Sequence, residues 1–246
     1  MKINRVILAS NDNQDYLDFW PLVSESWKRL NISPTLIFTG KKKRNLEGDV
    51  IHFYIEELDP IFVAQNIRIL APALFMNENI ITSDIDDLPL SRKYFLDNVT
   101  DIPNHMFTVY RAGVIDKKMI PISWNLANSK TWQEIFNIHT ENEIVNRLIK
   151  WYPIEYRRGY PGWYTDQIKL KQYVNKFSKK NKQRVVYLTD KSMHFNRISR
   201  DATDGVILNL KKTNVEYSDY HMPIPFRRHK KAIFQIYKRS IDNGYI

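Results

Sequence analysis

The chain has 246 residues, 43% of them hydrophobic and 26% charged, enough for one large α/β domain with a real core. It contains no cysteine, which excludes disulfides, zinc–thiolate sites and cysteine nucleophiles, and its 7 glycines form neither a GxGxxG fingerprint nor a Walker-type phosphate loop. The formal charge of +10 favours an anionic partner without choosing among nucleic acid, anionic lipid and a phosphorylated small molecule.

Val6-Ile7-Leu8-Ala9 predicts a buried strand that ends in polar Ser10-Asn11-Asp12-Asn13, suited to a turn or helix cap. The apolar run in this N-terminal stretch, about five residues, is shorter than a signal-peptide core or a bilayer span, so the expected location is cytoplasmic. Tyr16, Phe19, Trp20, Val23, Trp27 and Leu30 recur at helical spacing, with Pro21 starting a fresh helix or sitting in a first turn. Residues 35–38 and 50–54 read as strands, Asp59-Pro60 opens a helix that runs to about Leu70, and Ile80-Ile81-Thr82 is the next strand. This β-α-β-β-α-β order predicts an α/β fold, a doubly wound and mostly parallel sheet with helices on both faces. Ligands of such sheets bind at the carboxyl ends of the strands, which would place Asn11-Asp12 and Asp84–Asp86 in one crevice.

In the second half, residues 106–111 and 121–127 read as strands, 129–138 and 141–151 as helices, the first capped by Ser129, and 185–188 as a further strand. The aromatic loop YRRGYPGWY leads into a helix at Thr165-Asp166-Gln167. Near the end, Ile233, Phe234, Ile236 and Tyr237 form one helical face ringed by Lys230, Lys231, Lys238 and Arg239. Such a helix closes the domain against the sheet, the preferred reading, or makes weak peripheral contact with an anionic membrane. The basic runs at 41–44 and 227–231 read as solvated faces with no RNA- or DNA-binding pattern beside them, so no nucleic-acid partner is expected. Without a repeat or linker, 1–246 reads as one domain with a nucleotide-binding half (1–112), an acceptor-binding half (113–228) and a basic C-terminal helix (229–246).

The segment NIITSDIDDLP crowds three carboxylates at a strand end, where like charges repel. Asp84 and Asp86 can converge on one point once the chain leaves the pleat. Hard cations such as Mg²⁺ and Mn²⁺ take one or two carboxylates and leave other positions to substrate phosphates. The plainer alternative is a strand-end turn in which Asp87 caps the next segment.

LASNDNQDYLDFWPLVSESWKRL, IITSDIDD, GWYTDQ, HFNRISR and DYHMPIPF, in that order and spacing, resemble the nucleotide-sugar-dependent glycosyltransferases of the GT-A fold. The likeness is strongest to the small type related to the chlorella-virus capsid glycosyltransferase and reaches to about Phe226. It implies that Ala9, Asn11 and Asp12 line a nucleoside pocket, usually for uridine, and that Arg68 faces the nucleotide or its phosphates. Asp84 would hold ribose and metal, and Asp86 would bind Mn²⁺ or Mg²⁺ directly. A further metal ligand from the C-terminal half is often a histidine, here His221, with His194 as second choice. One departure stands at Ile224, where the pattern places an arginine.

Asp166 lies at a helix start beside Trp163 and Tyr164. Sugar CH faces pack on aromatic rings, so Trp163, Tyr164 and Gln167 are candidate acceptor contacts, with Asp166 as the base that takes the acceptor proton. Alternatively Thr165 caps the helix and Asp166 complements its dipole. Arg197 and Arg200 can reach phosphate oxygens together, or lie on a surface helix. The expected activity is metal-dependent hexosyl or deoxyhexosyl transfer from a UDP-sugar to a glycan, glycoprotein or lipid-linked acceptor. The rivals are an aspartyl-phosphate phosphatase and a basic nucleic-acid-binding module.

Overall fold

Strand β1 (Arg5–Ser10) is apolar on both faces, the pattern of a strand covered on two sides. The computed structural model, which describes residues 1–202 and 216–246, sets it in the middle of a seven-stranded sheet. Its companions are β2 (Ser33–Phe38), β3 (Asp49–His52), β4 (Asn79–Thr82), β6 (Phe107–Val109), β7 (Asn125–Asn128) and β8 (Val185–Tyr187), in the order β3-β2-β1-β4-β7-β6-β8. β3, β2, β1 and β4 run parallel, β7 is antiparallel to both β4 and β6, and β8 is parallel to β6. The fold is therefore mixed α/β with a mostly parallel central sheet, as the periodicity predicts.

Alternate residues of the strands feed two cores. Val6, Leu8, Leu36, Phe38, Ile81 and Leu126 join Trp20 and Trp27 of helix α2 (Trp20–Arg29) on one face. Ile7, Ala9, Ile37, Ile80, Phe107 and Ala127 join α3 (Pro60–Leu70), α5 (Ser129–Phe136), α6 (Glu141–Trp151) and α7 (Thr165–Lys180) on the other. At the amino end of the sheet Arg5 ties several segments together. Its guanidinium reaches Glu78 at 2.6 Å, Thr35 at 2.5 Å and Asp49 at 2.7 Å.

A second sheet, order β5-β10-β9, was not anticipated: β5 (Asp87–Pro89), β9 (Phe195–Ile198) and β10 (Glu216–His221). β10 runs antiparallel to β5, which sets His221 opposite Asp87, and parallel to β9. Arg197 thus stands on a strand and not on a surface helix.

Local differences have local causes. A fresh helix does start beside Pro21: the segment forms α1 (Gln14–Leu17), capped by the Asn13 side chain, and then α2, where Pro21 occupies the first turn. α5 is capped by Asn128 rather than Ser129, since the Asn128 side chain accepts from Lys130 N–H. Short helices α4 (Arg92–Phe95) and α8 (Asp190–Met193) flank the second sheet. The C-terminal helix spans Phe226–Asp242 and buries Ile233, Ile236 and Tyr237, whereas Phe234 is 42% exposed. The apolar face expected from Ile233, Phe234, Ile236 and Tyr237 is thus met by three of its four residues. Among the described residues no helix is long and apolar enough to cross a membrane.

Candidate active site

The carboxyl ends of β1 and β4 lie side by side, and a cavity of about 520 Å³ opens there. Ala9 and Asn11 from the end of β1, Tyr16 from α1, and Asp84 and Asp86 beyond β4 help to line it. The crevice expected from strand order is present, with one exception: Asp12 is exposed and does not line the cavity. Trp163, Arg158, Gln167, Arg200 and His221 close the opposite side, and Trp163 stacks on Tyr156 with ring centroids 5.5 Å apart. Tyr164 is 37% exposed and lies outside this lining.

The crowd of aspartates separates into two groups. After β4 the chain turns, with Asp87 N–H donating to Asp84 O at 3.2 Å. Asp84 then accepts hydrogen bonds from the Arg68 guanidinium and from Ser123 Oγ, the latter at 2.7 Å. Burial opposes its ionisation, yet Arg68 and Ser123 prevail and hold the carboxyl down to about 2. Asp86 and Asp87 sit with His221 instead, their ligand atoms within 4.8 Å of one another. Burial would lower the His221 imidazole, but hydrogen bonding to Asp86 and the charges of Asp87 and Asp86 reverse this and raise it. Burial raises the Asp87 carboxyl against the pull of Arg197.

Two carboxylates and an imidazole make a donor set that could hold a divalent cation. Arg200 also bonds Asp86, and Arg197 bonds Asp87, so each carboxylate gives one oxygen to a guanidinium. Asp86 Oδ1 and Asp87 Oδ2 have no hydrogen bond among the described residues. The residues present fit the metal, with Asp87 in the group and Asp84 outside it. His194 ends α8 in the left-handed region (φ 61°), is exposed, and does not belong to the group.

Arg68 is almost fully buried. It reaches Asp84 on one side and Asp166 on the other, the latter at 3.2 Å. Burial pushes the Asp166 carboxyl up to about 7 despite the facing guanidinium. No side chain caps α7: Thr165 Oγ1 instead donates to Gly162 O at 2.7 Å, and Asp166 takes part in a second cavity of about 380 Å³. That cavity shares Gln65, Arg68, Asp84 and Gln167 with the first and extends toward Arg111, Ser123 and Arg197. Arg197 is held between Asp87 and Asp219, with Nε 2.8 Å from Asp219. Burial pushes the Asp219 carboxyl up to about 6.

Sequence reasoning passed over Asp87, Asp219, Ser123, Gln65, Tyr16 and Arg158. For Asp87 the signal was present, since it belongs to the same acidic run. For Asp219 and Ser123 no local pattern distinguishes them.

No family model matches the sequence, and no curated protein matches it. Solved structures do. The apo form of the glycosyltransferase GlyE from Streptococcus pneumoniae TIGR4 is similar with a TM-score of 0.52 at 12% identity, covering 100% of this chain and 64% of that one. The galactosyltransferase LgtC, solved in complex with donor and acceptor sugar analogs, gives 0.49 at 15% identity, covering 97% and 94%. A glycosyltransferase involved in glycosylation of the major capsid of PBCV-1 gives 0.47 at 14% identity, covering 94% and 98%. The likeness to GlyE shows the fold: the chain has the GT-A architecture that its motifs resemble, and it spans less than two thirds of GlyE's length.

Proposed function

We propose that this protein transfers a hexosyl or deoxyhexosyl group from a nucleoside diphosphate sugar, with UDP as the nucleotide, to an acceptor hydroxyl on a glycan, glycoprotein or lipid-linked saccharide. The observation that carries the reading is the first cavity. This cavity at the ends of β1 and β4 is lined by Asp86 and His221 of the two-carboxylate and histidine group, with Arg158 and Arg200 in the same wall. Ala9, Asn11 and Tyr16 would receive the nucleoside. Arg158 and Arg200 would face the diphosphate, where guanidinium forks match phosphate oxygens.

Mn²⁺ or Mg²⁺ held by Asp86, Asp87 and His221 would supply Lewis-acid neutralisation of the leaving diphosphate. The residues shared by the two cavities mark the seam where the transferred sugar would lie. There the bond from C1 to the diphosphate oxygen breaks and one from C1 to the acceptor oxygen forms. The acceptor proton passes to Asp166, whose raised value of about 7 is matched to a general base near neutrality. Arg68 fixes the Asp166 carboxylate and Asp84 at the same time. The phosphatase alternative is disfavoured because Asp84, its nucleophile, is already clasped by Arg68 and Ser123.

The test is calorimetry of UDP with and without Mn²⁺ on the wild type and on Asp86→Asn. Mn²⁺ is expected to tighten UDP binding in the wild type and to have no such effect in the variant, because an amide is a poor ligand for a hard dication. Unchanged Mn²⁺-dependent UDP affinity in Asp86→Asn would remove the metal site from this account.

A further inference from the structure

We infer that the second cavity selects a saccharide carrying an anionic substituent, a carboxylate or a phosphate, and that Arg111 recognises it. This inference rests on the transfer reading and names the substrate class of the same site.

Three arginines line this cavity of about 380 Å³. Two are committed to carboxylates of the protein: Arg68 to Asp84 and Asp166, and Arg197 to Asp87 and Asp219. Arg111 is different. Its side chain is only 12% exposed, and the carboxylate it approaches, Asp190, stands 3.5 Å from Nε, too far for that nitrogen to make a hydrogen bond. Asp190 meanwhile accepts a 2.7 Å hydrogen bond from Tyr94 Oη. Arg111 Nε is thus buried without a hydrogen-bond partner, and no hydrogen bond from the Arg111 guanidinium occurs among the described residues, although the residue lines the cavity.

A guanidinium mostly withdrawn from water, with its Nε–H unmet and Asp190 no nearer than 3.5 Å, carries a desolvation penalty that its surroundings offset only in part. A neutral sugar hydroxyl offers one weak acceptor for that fork. A carboxylate or phosphate offers two oxygens in matching geometry, with the stronger charge-assisted bonds. The acidic groups in the same wall do not oppose such a ligand, because Asp84 and Asp166 both face the Arg68 guanidinium. The anion can ride on the transferred sugar, as in a hexuronate, or on the acceptor saccharide. The chemistry that recognises it is the same.

The experiment uses the full chain with Mn²⁺ and calorimetry. The donor arm compares UDP-glucuronate with UDP-glucose, and the acceptor arm compares methyl glucuronide with methyl glucoside on the UDP-bound protein. In one arm the carboxylate ligand is expected to bind about tenfold tighter or more than its neutral counterpart, the scale of a charge-assisted hydrogen bond. Arg111→Gln is expected to erase that preference and leave UDP affinity unchanged, with the UDP titration also reporting that the variant is folded. Should Arg111→Gln fail to fold, Arg111→Lys, which keeps the charge and loses the fork, is expected to reduce the preference. UDP binding with no preference for the anionic ligand in either arm overturns this inference alone, as does a preference that survives substitution. A wild-type protein that does not bind UDP overturns the transfer reading and this inference with it.

Discussion

Asparagine at position 166 is expected to stabilise the protein at pH 8 while slowing its chemistry. In the wild type, burial raises the Asp166 carboxyl from 3.8 to about 7, even against the Arg68 guanidinium. As pH climbs from about 4, the unfolded chain loses this proton first. Stability therefore falls until the folded group also ionises near pH 7, and it stays low above that. The displacement is about three pKa units, so the ionised carboxylate costs the fold ~4 kcal/mol relative to its neutral form. An amide carries no charge at any pH and removes that cost. It also gives back ~1–2 kcal/mol, because its NH₂ cannot accept one of the two hydrogen bonds now donated by Arg68 and Gln167 N–H. The net expectation at pH 8 is a gain of ~2–3 kcal/mol, or about 5–10 °C in Tm for a chain of this size, fading to nothing or a slight loss near pH 4. Urea or thermal unfolding of both proteins at about pH 4.5 and pH 8 measures it. A variant no more stable than the wild type at pH 8, or a difference that ignores pH, refutes the reasoning.

The same Asp166→Asn protein should turn over roughly 10²-fold more slowly in a transfer assay while UDP affinity stays intact, the usual scale for a positioned base. Near-normal turnover would return Asp166 to a purely structural role. Truncation after Arg228 removes Ile233 and Ile236, each buried and worth ~1.5–3 kcal/mol, and the hydrogen bond from Arg29 to Tyr237. That sum is a large part of a typical domain's stability, so the truncated chain is expected to lose its cooperative melt by circular dichroism. A truncated chain that melts normally but no longer sediments with anionic vesicles would assign the helix to membranes instead.

Strongly periodic segments were legible in the sequence. β1, β2, α3 and α6 bury continuous or helical apolar patterns, and their caps, Asp59 for α3 and Thr140 with Glu143 for α6, use ordinary local chemistry. The second sheet was not legible because its strands carry charged residues. Asp87, Arg197, Asp219 and His221 occupy positions where an apolar run would have announced a strand. The acidic run showed that carboxylates gather at the end of β4, yet not how they divide. That division depends on the turn between Asp84 and Asp87, on Ser123 arriving from just before β7, and on the register that pairs His221 with Asp87. The last two bring together residues far apart in sequence. The unpartnered Nε of Arg111 was equally hidden, since it is defined by a carboxylate that stops short of it.

Arg5 carries a consequence for how the chain finds its alignment. Amphipathic strands reject a one-residue slip because it turns polar groups inward. β1 has no such safeguard: a slip would exchange Val6 and Leu8 with Ile7 and Ala9, trading one set of apolar side chains for another across the sheet. Shape alone would oppose it in the middle of the strand. At the strand's start the opposition becomes chemical, because the Arg5 guanidinium meets Thr35, Asp49 and Glu78 together only in the native alignment. Displaced by one residue, the side chain would leave two acids and a hydroxyl without their shared donor. The polar end of the sheet thus acts as an index mark for an otherwise unmarked apolar ribbon, and the position of the crevice at the opposite end is fixed from there.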